Sequence, residues 1–114
     1  MSDVQPWHRL LAERHEYEEE WERAIRCYLV ALDQAPEDLE TYFRLARLYK
    51  RLGEEHRNLD LLEQAGKVAR AGRRRAEPGT AEHAKLDDLL GAIQPIWEDV
   101  GGHAEEIDGD EADG

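Results

Sequence analysis

The stretch Trp21–Gly53, WERAIRCYLVALDQAPEDLETYFRLARLYKRLG, decides how this chain folds. Its first half carries Trp21, Ala24, Tyr28, Ala31 and Leu32; its second half carries Tyr42, Leu45, Ala46, Tyr49 and Leu52. In both halves the apolar residues return at steps of three and four, the spacing that gathers side chains on one face of an α-helix. Pro36 separates the halves, because the residue before a proline is pushed out of the helical region. Asp38 then stands as an N-cap, able to accept from a free backbone N–H, and Gly53 as a left-handed C-cap. Two helices follow from this pattern, each with a stripe to bury and the other as its nearest partner. Ala24, Ala31 and Ala46 let helix backbones approach, while Trp21, Tyr28, Tyr42 and Tyr49 fill the gaps.

Working outward, residues 1–5 read as a flexible N-terminus, and Pro6 suits a first helical turn. Trp7, Leu10 and Leu11 begin a helix that no glycine stops, since His15-Glu16-Tyr17 occupy the place of a turn. The run Glu18-Glu19-Glu20 opens the next helix, expected over Glu19–Gln34, where carboxylates favour the positive end of the helix dipole. That reading is preferred to a metal site. Downstream, Leu59, Leu62, Ala65, Val68 and Ala69 give a helix over Glu54–Ala71, weakened by Gly66 and Gly72 and free to overrun toward Arg75. A polar linker spans 72–79. Thr80 caps a last helix over 80–97, with Leu86, Leu89, Leu90 and Ile93 as its stripe and Pro95 expected to kink or end it. Gly and acids dominate 98–114, which reads as an acidic, disordered tail.

Ala24-x3-Tyr28-x2-Ala31-x4-Pro36 resembles the second half of a tetratricopeptide repeat, and Tyr42-x2-Leu45-Ala46-x2-Tyr49 resembles the first half of the next. The register across Pro36 keeps the family's period of about 34 residues without insertion. The resemblance implies an all-α short α-solenoid of about two antiparallel helix hairpins: repeat one over 6–38, repeat two over 39–71, and residues 80–97 as a capping helix on the open end. It also implies a concave groove lined by the first helix of each repeat. Glu40, Phe43, Arg47, Lys50 and Arg51 would line it, with Arg9, Glu13 and Glu16 from the first helix and Arg44 flanking. An aromatic residue among cations suits a partner peptide or helix with acidic groups and an apolar anchor; an ordinary solvated helix face is the competing reading. Some family members clamp a peptide's terminal carboxylate with a basic residue followed four positions later by asparagine. Here Glu13 follows Arg9 and would repel that carboxylate.

The chain has 114 residues, enough for one domain with a modest core. Its formal net charge is −12, and eight of the acids lie from Glu98 onward, while all 15 Lys and Arg precede Trp97. The acidity is largely a tail property, and it argues against nucleic acid as a partner. A second basic patch, Arg70, Arg73, Arg74 and Arg75, is placed to dock an acidic partner or the tail itself. No apolar run is long enough for membrane insertion, and the first ten residues do not read as a secretory signal. The single cysteine, Cys27, cannot form an internal disulfide, which favours a cytoplasmic setting. His8, His15, His56, His83 and His103 include no pair at i, i+4, so no zinc motif is visible. Asp108–Asp113 resembles the start of a calcium loop that lacks its later ligands. No phosphate loop, dinucleotide fingerprint or nucleophile motif occurs, so the expectation is a non-enzyme without cofactors. The leading expectation is a protein–protein interaction adaptor; a small acidic chaperone for a secreted or assembling client, and a self-associating structural subunit sticky at Trp7, Ile96 and Trp97, are the alternatives.

Overall fold

A computed structural model describes residues 7–102. They form five helices: α1 Trp7–Tyr17, α2 Trp21–Gln34, α3 Leu39–His56, α4 Leu59–Arg75 and α5 Ala81–Val100. The expected N-terminal segment, Pro6, His103 and the tail from 103 onward lie outside the described residues.

The helices pair in sequence as hairpins, α1 with α2 and α3 with α4, and α5 lies against α4 and α3. This corrects the expectation that α2 and α3 are each other's principal partner: they touch across the Pro36 turn, but far less than either touches its hairpin mate. The reason lies in the small residues of α4. Ala65, Gly66, Ala69 and Gly72 are buried on the side of α4 that faces its neighbours, so the broad α3 stripe of Tyr42, Leu45, Leu48, Tyr49 and Leu52 can close on it.

Gly53 is part of that seam and not a C-cap. Helix α3 runs through it to His56, and a Cβ at Gly53 would sit 2.7 Å from Leu62 Cγ. The left-handed cap falls to Arg57, with φ +47°, whose guanidinium donates to the Asp99 carboxylate at 3.3 Å and to the Asp99 carbonyl at 3.1 Å. Asn58, expected inside the next helix, is instead its N-cap and accepts from Leu61 N at 3.1 Å. Helix α4 therefore starts later than expected and overruns to Arg75.

Asp38 accepts from Glu40 N and Thr80 from His83 N, which start α3 and α5. Pro95 does not end α5. Both Pro95 and Gly91, whose carbonyl loses its bond to the proline, are exposed, so water can satisfy that carbonyl. Ile96, Trp97 and Val100 then carry the helix across the core, and Glu98 and Asp99, counted with the tail, belong to its last turn. Trp97 is 2% exposed, which removes it as a sticky end residue, whereas Trp7 is 67% exposed.

Candidate functional site

Charged side chains link α1, α3 and α5 into one polar face. Across it runs a ladder of alternating charge. Arg9 pairs with Asp38 at 3.1 Å and with Glu13 at 2.9 Å. Glu13 reaches Arg44 at 3.3 Å, Arg44 reaches Glu40 at 2.8 Å, and Glu40 reaches Lys85 of α5 at 3.4 Å. Three acids and three bases thus neutralise one another from repeat one to the last helix. Burial by itself would lower the Arg9 pKa; Asp38 and Glu13 outweigh it and hold Arg9 above its ordinary value. Arg44 is likewise raised, with Glu13 and Glu40 outweighing its burial.

Aromatic rings complete the face. Phe43 is half-buried, with the Arg47 guanidinium 5.5 Å and the Lys85 ammonium 4.2 Å from its ring centre. Farther along, Arg51 lies 4.8 Å from the Trp21 ring and also pairs with Glu55 at 3.4 Å. Tyr28 is fully buried between the repeats and donates to Glu16 at 2.8 Å; burial and that bond push its phenol well above the usual range.

A cleft of about 330 Å³ opens where α1 ends and α2 begins, facing α3. Glu13, Glu16 and Glu19 form one side, Arg44, Arg47 and Arg51 the other, with Tyr17 and Trp21 as the apolar lining. Of the expected groove residues, Glu13, Glu16, Arg44, Arg47 and Arg51 meet there. Arg9, Glu40 and Phe43 lie on the same polar face but outside the cleft. Lys50 is half-buried and pairs with Glu54 at 3.8 Å. Three participants escaped the sequence reading. The pattern places Trp21 in the core; Tyr17, 89% exposed, stands in the sequence only where a turn is expected; Lys85 lies 45 positions from its partner Glu40.

The expected second basic patch is not one surface. Arg70 is 4% exposed and belongs to the core, Arg73 pairs with Asp87 at 2.8 Å, and Arg75 lies 5.9 Å from the Tyr42 ring. Arg74 is exposed, so the arginine run is divided among different environments. At the α1–α2 turn, where Glu19 has φ +62°, the ligand atoms of His15, Glu18 and Glu20 converge within 4.8 Å. These groups are already engaged: His15 with Glu20 at 2.6 Å, Glu18 with Arg14 at 3.4 Å, and Glu20 also with Arg23 at 3.9 Å.

Among the described residues no helix is long and apolar enough to cross a membrane. No family model and no curated protein matches the sequence. The chain is similar to the solution NMR structure of a tetratricopeptide repeat domain protein from Salinibacter ruber, with TM-score 0.69 and 24% identity over 87% of this chain and 94% of that one. It is also similar to a crystal structure of a tetratricopeptide repeat domain protein from Salinibacter ruber, with TM-score 0.52 and 26% identity over 81% of this chain and 98% of that one. The fold is a tetratricopeptide-repeat-like short α-solenoid, as the register across Pro36 implied.

Proposed function

From this helical-repeat fold we propose that the chain is a non-catalytic adaptor, which holds a segment of another protein in the cleft between α1, the start of α2 and α3. Repeat arrays of this kind expose extended surfaces suited to peptide and helix recognition, although a fold alone does not fix a function. The observation that carries the reading is the state of Arg47. It is exposed at the cleft and has no carboxylate partner among the described residues, whereas Arg9 and Arg44 are each held by two acids.

The fitting partner segment offers a carboxylate to Arg47 and Arg51 and an apolar side chain to Trp21 and Tyr17. Glu16 and Glu19 on the opposite wall favour a cationic or amide-bearing neighbour in the same segment, which sets its direction. Lys50 drops out of the proposed contact set because it is drawn toward Glu54. The single cysteine suits a cytoplasmic setting for such an adaptor.

Selection of a displayed random-peptide library on the intact chain, followed by fluorescence anisotropy with the selected peptides, tests this. Acidic peptides with a neighbouring apolar residue are expected. The paired substitution Arg47→Glu and Arg51→Glu should weaken them at least about tenfold, or roughly 1.4 kcal/mol, with helicity unchanged. Peptides without shared chemistry, or equal binding by the paired variant, reject the proposed cleft.

A further inference from the structure

The large apolar side chains exposed among the described residues are Trp7, Leu10, Leu11, Tyr17, Leu29 and Val30, and all belong to α1 and α2. None lies on α3, α4 or α5. Helix α5, at the other end of the array, exposes five acids, Glu82, Asp87, Asp88, Glu98 and Asp99, against one base, Lys85. One end of the solenoid is therefore finished by a polar helix, and the other is not. A repeat array exposes an apolar face wherever a neighbouring unit would pack.

Helix α2 adds a second feature. Glu22, Arg26, Leu29, Val30 and Asp33 recur at helical spacing on its outer side, and all five are exposed. Neither Arg26 nor Asp33 has an ion-pair partner among the described residues, although most arginines of the chain do. The two charges flank Leu29 and Val30 symmetrically. A two-fold axis between Leu29 and Val30 would set two α2 helices antiparallel, with Arg26 of each chain against Asp33 of the other. The His8–Gln34 contact at 2.9 Å puts the start of α1 beside the end of α2, so Trp7, Leu10 and Leu11 lie near the same crossing.

We propose that the outer face of α1 and α2 is a self-complementary interface that pairs two copies of this chain, with α2 crossing its own symmetry mate at Leu29 and Val30. Head-to-tail stacking is disfavoured, because it would press the apolar end against the acidic outer side of α5. Two-fold pairing instead joins apolar to apolar and base to acid, and it leaves the cleft by Arg47 on a different side of repeat one. The interface stands or falls independently of the adaptor reading.

Sedimentation velocity of the full chain over a range of concentrations is the test. A concentration-dependent dimer is expected, and Val30→Glu should raise its dissociation constant at least about tenfold. Arg26→Asp and Asp33→Arg, both at exposed positions, should each weaken the dimer. Their equimolar mixture should restore it, since one variant then carries two acids and the other two bases. Circular dichroism checks that each variant keeps its helices, and the two charge variants decide the matter if Val30→Glu does not. A wild type that stays monomeric throughout overturns the proposal. So does a dimer indifferent to all three substitutions, or a mixture no better than its components; those outcomes assign the apolar face to a different protein or to a segment of this chain.

Discussion

Repeat one and the unit built from α3, α4 and α5 have helices of similar pattern but are held by different means. In the larger unit the buried side chains are big: Tyr42, Leu45, Leu48, Leu62, Leu86, Ile93 and Trp97. In repeat one they are Ala12, Ala24, Ala31 and a single large residue, Tyr28, while leucines and a tryptophan remain in water. Burial at about 25 cal/mol per Å² therefore supports the second unit far more than the first. Repeat one enters the shared core through Ala12, Ala24 and Tyr28, with Trp21, Ile25 and Leu32 partly buried against it, and polar bridges add to the seam: Arg9 to Asp38, Glu13 to Arg44, and Arg51 over Trp21. The same sequence periodicity can thus describe helices that fill the core with large side chains and helices that add mostly small ones to it.

The largest effect that could break this contrast comes from truncating matching residues on the two sides. Leu62 is fully buried against Gly53, and Leu62→Ala should cost about 2–5 kcal/mol by urea denaturation. Leu11 is 46% exposed, and Leu11→Ala should change stability by less than about 0.5 kcal/mol. Comparable losses for both would mean that repeat one has a core of its own.

Tyr28 sharpens the contrast at intermediate size. Its phenol is raised by burial first and by the hydrogen bond to Glu16 second, and burial also raises Tyr42 and Tyr49. A raised folded pKa means that the unfolded chain loses the proton first. The stabilisation is complete below the unfolded value near 10 and is lost as pH rises beyond it, by up to about 1.4 kcal/mol per pH unit for each such tyrosine. Tyr28→Phe should cost roughly 1.5 kcal/mol at neutral pH, through the lost bond to the Glu16 carboxylate. It should also flatten the decline above about pH 10. Denaturation curves at neutral and alkaline pH, with phenolate absorbance as a direct monitor, check both; an unchanged alkaline slope would detach Tyr28 from the repeat boundary.

What the sequence made legible is periodicity and local chemistry. The stripes of α2, α3 and α4, the caps Asp38 and Thr80 and the overrun to Arg75 all depend on neighbours within a turn or two. What it concealed depends on partners far along the chain. Gly53 suits a C-cap and a tight seam equally well until Leu62 is seen against it. A stripe announces that it must be buried, not which helix buries it, so the pattern alone does not reveal that α2 packs on α1 ahead of α3. The arginine run 70–75 looks like one patch when written in a line, but helical rotation sends Arg70 inward, Arg73 toward α5 and Arg75 over Tyr42. Of the candidate groove, the membership of Arg44, Arg47 and Arg51 was readable. The pairing that neutralises Arg44, and the arrival of Lys85, needed the third dimension.

The smallest expected effect tests the polar bridges themselves. Glu13 is the one acid that joins Arg9 to Arg44, and so links α1 to α3 within the ladder. Partly exposed pairs contribute at most about 1 kcal/mol each, so Glu13→Gln should hardly move global unfolding. Hydrogen exchange should still resolve it. If repeat one opens without the rest, amides of α1 and α2 lose protection by up to about tenfold per 1.4 kcal/mol, whereas α4 amides do not change. Salt should shrink the difference between wild type and variant, because screening at 1 M acts beyond roughly 3 Å. Equal loss of protection in α2 and α4 would show that the five helices open as one unit. The division between helices that fill the core with large side chains and a repeat that adds mostly small ones would then describe packing alone and not energetics.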